Sequence, residues 1–172
     1  HAAEPIPHAA QAEVERLLQS GDLFRYTAAD SAPVSLLETE FAQMMGKKYA
    51  LAVSSCSAAL FLSLKALGLP DGARVLIPGF TFAAVPSSVV HANCVPVLCE
   101  VGENYRIDLA DFAQKLDTDI AAVIVSHMRG HTSNMDAIMT LCDQAGIPVI
   151  EDAAHSLGTM WRGKKIGTIG KV

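Results

Sequence analysis

The sequence predicts an α/β fold, a three-layer sandwich built on a mainly parallel sheet. Two observations carry this expectation. From Lys48 onward, short apolar runs rich in β-branched residues alternate with stretches of helical period, the pattern of successive βαβ units. One of those runs, Ile147-Pro148-Val149-Ile150, stops abruptly on Glu151-Asp152-Ala153-Ala154-His155. A buried strand reads as such an apolar run, and ligands in open α/β sheets sit beyond the carboxyl ends of the strands. Asp152 therefore stands where chemistry is done, and the two alanines after it leave room for a flat group. Taken alone, Asp152 fits a turn-capping carboxylate equally well.

Before Lys48 the pattern is helical. Pro7 to Ser20 carries Ala10, Val14, Leu17 and Leu18 as an apolar stripe, with Gly21 placed to end it. Asp22 to Pro33 is a loop bearing Phe24, Arg25 and Tyr26, read as plain surface rather than as a contact to substrate or a second subunit. Val34 to Met45 is again amphipathic, through Leu36, Leu37, Phe41 and Met44, and Gly46 terminates it. Both stripes read as core packing. Residues 1–47 are thus expected as an N-terminal helical segment, and 48–172 as the first part of a large ligand-binding domain.

Within 48–172, strands are expected at Tyr49–Val53, Arg74–Ile77, Val95–Cys99, Ile120–Val125 and Pro148–Ile150. Helices are expected at Ser57–Leu67, Ala84–His91, from Asp108 through Lys115, and Asn134–Ala145. Pro86 fits only in the first turn of its helix. Trp161 to Ile166 reads as a short hairpin tip. The last residues, Lys164 to Val172, look like the start of another strand, and a chain that stops there looks cut rather than finished. His1-Ala2-Ala3 is as compatible with a cloning leftover as with native sequence.

Composition bounds the function. The 172 residues suffice for a sizeable core, and with 51% apolar and 18% charged residues the chain is globular. A net charge of -5 without a basic cluster argues against nucleic acid as partner. No apolar run approaches the roughly 20 residues that cross a bilayer, and the N-terminus lacks a signal-peptide layout. Cys56, Cys94, Cys99 and Cys142 show no paired CxxC spacing, so they are expected as buried free thiols of a cytoplasmic protein rather than zinc ligands.

Four strand ends carry the candidate chemistry. Val53-Ser54-Ser55-Cys56-Ser57-Ala58-Ala59-Leu60 passes from a strand into a helix through small hydroxyl residues. Free amides at a helix start, with a serine hydroxyl, form a ready phosphate site; an ordinary N-cap at Ser55 or Ser57 is the simpler alternative. Neither a dinucleotide glycine fingerprint nor a Walker A loop is present. Ile77-Pro78-Gly79-Phe80-Thr81-Phe82 offers two aromatics, one for a planar ligand and one for the core, or both for the core. Val125-Ser126-His127-Met128-Arg129-Gly130-His131 lacks the helical spacing of a metal pair. Asp152 and His155 form the fourth end. A phosphate cradle, an aromatic plate and a carboxylate on one sheet edge are what pyridoxal phosphate requires, because a carboxylate against the pyridine nitrogen keeps it protonated.

These segments, in this order, resemble the sugar aminotransferases of the DegT/DnrJ/EryC1/StrS family, fold-type-I pyridoxal-phosphate enzymes, from Pro7 to Gly170. Ser55-Cys56-Ser57-Ala58-Ala59-Leu60 is similar to the family's Ser-Gly-Thr-Ala-Ala-Leu phosphate turn, which implies Ser57 and Ala58 as phosphate ligands. Phe82 matches the aromatic that stacks on the cofactor. His127-Met128-Arg129-Gly130 with Asn134-Met135-Asp136-Ala137-Ile138 resembles His-Leu-Tyr-Gly…Asp-Met-Asp-Ala-Ile. Glu151-Asp152-Ala153-Ala154-His155 resembles Glu-Asp-Ala-Ala-Gln, which implies Asp152 as partner of the pyridine nitrogen and His155 near the ring hydroxyl. Cys56 for glycine and His155 for glutamine depart from the pattern. The resemblance implies transfer of an amine from glutamate or glutamine to a keto-sugar, commonly nucleotide-linked, or to a cyclitol, by a homodimer. It also places the Schiff-base lysine beyond Val172, since Lys164, Lys165 and Lys171 do not match it. A dehydratase-type variant, or a non-catalytic relative kept for binding or dimerisation, is the alternative.

Overall fold

The computed structural model describes residues 4–116 and 119–171, so His1-Ala2-Ala3 and Val172 lie outside the described residues. The chain divides into two compact units, up to Ala52 and from Val53 onward.

The first unit holds helices α1 (His8–Ser20) and α2 (Pro33–Met45), joined through a 3-10 turn at Arg25–Thr27. Gly21 and Gly46 end the two helices in the left-handed conformation, which glycine enters without steric cost. The expected core stripes are not buried. No residue of α1 is, and α2 buries only Ala42, while Val14, Leu18, Leu37 and Met44 stay exposed. Arg25 donates to both carboxylate oxygens of Glu38 at 2.5 and 2.6 Å. Glu38 also accepts the Ala52 N–H at 2.6 Å. That bond helps explain why the strand expected at residues 49–53 does not form: the Ala52 amide is taken by a side chain, Tyr49 and Leu51 face solvent, and the segment is irregular.

The second unit has the expected three layers. Strands β1 (Arg74–Pro78), β2 (Val95–Cys99), β3 (Ile120–Ser126) and β4 (Val149–Asp152) form one parallel sheet in the order β2-β1-β3-β4. Strand residues alternate between the two faces. Val75, Ile77, Ala122, Ile124 and Ile150 pack under α3 (Cys56–Ala66) and α4 (Ala84–His91), through Leu60, Leu64, Val85 and Val89. Leu76, Cys99, Val123, Val125 and Val149 pack on the opposite face against α5 (Leu109–Lys115) and α6 (Met135–Ala145), through Phe112, Met135, Ile138 and Cys142. Covering both faces explains the near-continuous apolar strands. Asp108 and Asn134 cap α5 and α6 with their side chains, and Pro86 lies in the first turn of α4.

A two-residue hairpin follows β4: strands β5 (Met160–Trp161) and β6 (Lys164–Lys165) pair antiparallel around Arg162-Gly163, both at positive φ as such tight turns require. The chain then returns along β4. Ile166 enters the core and the Lys171 N–H donates to the Val149 carbonyl at 2.8 Å. Only glycine fits at position 170, because a Cβ there would lie 2.7 Å from the Val149 oxygen.

Candidate active site

Register decides which side chains meet. In the β3–β4 pair, Val125 lies opposite Glu151 and Ser126 opposite Asp152, so both strands end at one level. Alternation along β4 sends Ile150 and Asp152 to the α3/α4 face, and Val149 and Glu151 to the other. On the first face the strand ends meet the start of α3 around a cavity of about 380 Å³. Ser55, Cys56, Ser57 and Leu60 wall it from α3 and its cap, Phe82, Ala84 and Val85 from the segment after β1, His127 and Met128 from beyond β3, and Asp152, Ala154 and His155 from the end of β4.

Ser55 is the N-cap of α3, its Oγ accepting the Ala58 N–H at 3.1 Å. The amides of Cys56 and Ser57 belong to the first turn, whose N–H groups have no acceptor within the helix, and the helix dipole adds partial positive charge there. Ser57 is thus presented to the cavity. Ala58 is not: its amide is occupied by Ser55, and it lines a neighbouring groove with Phe61 and His91.

Asp152 is nearly buried, at 9% exposure. Its Oδ1 accepts the Ala154 N–H at 3.3 Å and the Cys56 thiol at 3.8 Å, so it caps the turn and walls the cavity at once. Burial pushes the Cys56 thiol up, and the neighbouring Asp152 charge adds to the effect, which keeps sulfur protonated as the donor. The expectation of four buried thiols is corrected here: Cys94, Cys99 and Cys142 are buried and Cys56 is exposed. A thiol at the first turn of a helix that opens on a cavity has no layer above it.

Phe82 presents an exposed ring to the cavity. Phe80 does not fill the core as one alternative held; it stacks on Tyr105, with ring centroids 5.1 Å apart. His155 accepts the Arg129 backbone N–H on Nδ1 at 3.2 Å, so in its neutral form the ring proton sits on Nε2. Of the five residues singled out from sequence, Ser57, Phe82, Asp152 and His155 converge on one cavity, and Ala58 stands outside it.

Sequence reasoning missed His127 and Glu151 as a pair. Glu151 accepts N–H bonds from Gly167 at 3.0 Å and from Ile169 and Gly170 at 2.6 Å each, and its Oε2 lies 3.4 Å from His127 Nε2. Both side chains are buried. Burial by itself would push the Glu151 carboxyl up; the contact with His127 and the three amides outweigh it and hold the group below its ordinary value of 4.5. The available signal was a carboxylate at an inward strand position, which demands donors. Among the described residues no group of three or more His, Cys, Asp or Glu could hold a metal ion. No described helix is long and apolar enough to cross a membrane.

Fold and cavity together define an α/β domain with a cavity at the carboxyl edge of a parallel sheet. The chain belongs to the DegT/DnrJ/EryC1/StrS aminotransferase family, whose profile matches residues 6–172. GDP-perosamine synthase of Vibrio cholerae is 36% identical over 140 residues, 81% of this chain and 38% of that relative. The spore coat polysaccharide biosynthesis protein SpsC of Bacillus subtilis is 36% identical over 159 residues, 92% of this chain and 40% of the relative. The aminotransferase of Psychrobacter cryohalolentis superposes with a TM-score of 0.91 at 31% identity, covering 99% of this chain and 42% of that one. The architecture is therefore that of the fold-type-I aminotransferases, and the chain spans less than half the length of these relatives.

Proposed function

We propose that this chain supplies the cofactor-binding wall of a pyridoxal-phosphate-dependent aminotransferase. The amine passes from glutamate or glutamine to a keto-sugar, often nucleotide-linked, or to a cyclitol ketone. One observation carries the reading: a helix start, an exposed aromatic face and a nearly buried carboxylate converge on a single cavity of about 380 Å³. That volume lies within the range of small-ligand pockets, roughly 300–1,000 Å³.

The donor set fits the cofactor. Ser57 and the first-turn amides of α3 would hold the phosphate dianion, with the macrodipole favouring negative charge there. Phe82 would cover one face of the pyridine ring, Asp152 would hold the proton on its nitrogen, and His155 would stand beside the ring oxygen. When bound, pyridoxal phosphate supplies an electron sink for the charge that develops next to the amine. Ala154 and Cys56 donate to Oδ1 of Asp152 and so fix the carboxylate's plane. Leu60 and Val85, both buried, give the cavity an apolar floor that excludes water and strengthens the contact of Asp152 with a ring proton. Ala58, with its amide already bonded, helps by shaping the turn rather than by donating.

This reading assigns the covalent lysine to sequence following Val172, residues 48–172 to the first part of the large domain, and the whole enzyme to a cytoplasmic homodimer. The last two rest on the family resemblance. The test is an absorbance spectrum of the full-length protein with pyridoxal phosphate, then borohydride reduction and peptide mapping. A reduced cofactor on a lysine beyond Val172 is the expected result. Cofactor held without a lysine adduct would favour the dehydratase-type variant, and no uptake would overturn the proposal.

A further inference from the structure

Beside the cavity lies a cationic aromatic patch that the mechanism above does not use. Phe80 stacks on one side of Tyr105, His131 tilts against the same ring at 5.6 Å, and the Arg129 guanidinium lies 5.6 Å from the ring centroid. Arg129 and Tyr105 both adopt positive φ, 54° and 62°, a region that bulky residues occupy only when their surroundings hold them there. The patch joins the cavity at two points. Phe80 stands two residues before Phe82, and the Arg129 N–H is the donor to His155 Nδ1. Arg129 is exposed, and among the described residues it forms no ion pair.

An arginine laid on an aromatic ring and left without a carboxylate presents a planar fork of donors, weakly hydrated and matched to oxyanions. We propose that Arg129, on its Tyr105 platform, is a specificity-determining residue that takes an oxyanion of the substrate at the mouth of the cavity. The diphosphate of a nucleotide-linked sugar and the carboxylate of the amino-acid partner both carry that chemistry. The identity of the substrate rests on the aminotransferase reading; the affinity for an oxyanion does not.

The experiment titrates the full-length protein by calorimetry with pyrophosphate and, separately, with 2-oxoglutarate, alongside the Arg129→Asn and Arg129→Lys variants. Asparagine removes the charge yet tolerates the left-handed backbone. The cofactor absorbance band and the melting temperature of each protein are recorded in parallel. Loss of a charged donor is expected to weaken one of the two anions by about tenfold. Arg129→Lys should retain part of the affinity, and band and melting temperature should stay unchanged. Which anion responds identifies the source: pyrophosphate the nucleotide, 2-oxoglutarate the amino-acid partner. Equal binding to wild type and Arg129→Asn, or no binding of either anion to wild type, overturns the assignment. A normal cofactor band in that case leaves the aminotransferase reading standing. Absence of the band removes that reading whatever the anions do.

Discussion

Asp152 shows how one side chain can cap a turn and wall a cavity together. Its Oδ1 is held by Ala154 and by the Cys56 thiol, so the carboxylate is positioned before any ligand arrives. On the proposed function, Asp152→Asn keeps the shape and removes the charge that would face the ring nitrogen. Turnover is expected to fall by at least about 100-fold, the scale set by loss of one aimed electrostatic partner. Single-turnover kinetics with the reconstituted full-length protein would measure it. Cys56→Gly removes one donor to Asp152 and leaves Ala154; because the lost bond is a weak S–H donor, affinity for the cofactor should change by less than about tenfold. Asp152 and His155 were legible in the sequence because a strand end broadcasts polar residues after an apolar run. Glu151 was not, although it is the adjacent residue. Its meaning depends on His127 and on the amides at 167, 169 and 170, which only the β3–β4 register and the return of the chain along β4 bring together.

Elements with a local code were the readable ones. The helices announce themselves through Asp108, Asn134, Gly21 and Gly46, and the parallel strands through apolar runs covered on both faces. Tyr49–Val53 has the alternation of a strand but lacks the ladder, since propensity describes one segment and a strand needs two. Phe80 and Phe82 illustrate the same limit: both follow β1, and only packing separates the ring that meets Tyr105 from the ring that meets the cavity. At this scale the cap of α3 is testable. Ser55→Ala deletes the acceptor for the Ala58 N–H and should cost about 1 kcal/mol. A urea titration should show a lower midpoint with an unchanged slope. The freed Ala58 amide then becomes available at the helix start, so cofactor affinity should not fall in parallel with stability.

For the whole molecule, Glu151 ties the sheet to the chain that runs beside it, and this sets an acid limit. Its carboxyl is held below 4.5 in the folded state and returns to the ordinary value on unfolding. As pH falls the unfolded chain therefore binds the proton first. The stabilisation is complete above that ordinary value and is lost as pH drops through the lower folded one. Thermal melts between neutral pH and about pH 3 should show the loss in wild type. Glu151→Gln should be less stable at neutral pH by about 3 kcal/mol, since an amide cannot accept from every donor now aimed at the carboxylate. Its melting temperature should also vary less with acid. Cys56 has a different consequence. Three of the four thiols are sealed in the core, and burial drives those of Cys99 and Cys142 up to about 12. A thiol-specific alkylating reagent added to native protein would therefore tag one position, slowly because that sulfur stays protonated, and faster as the solution is made alkaline. The tagging rate becomes a clock for occupancy of the cavity, readable by mass spectrometry without a chromophore or a turnover assay.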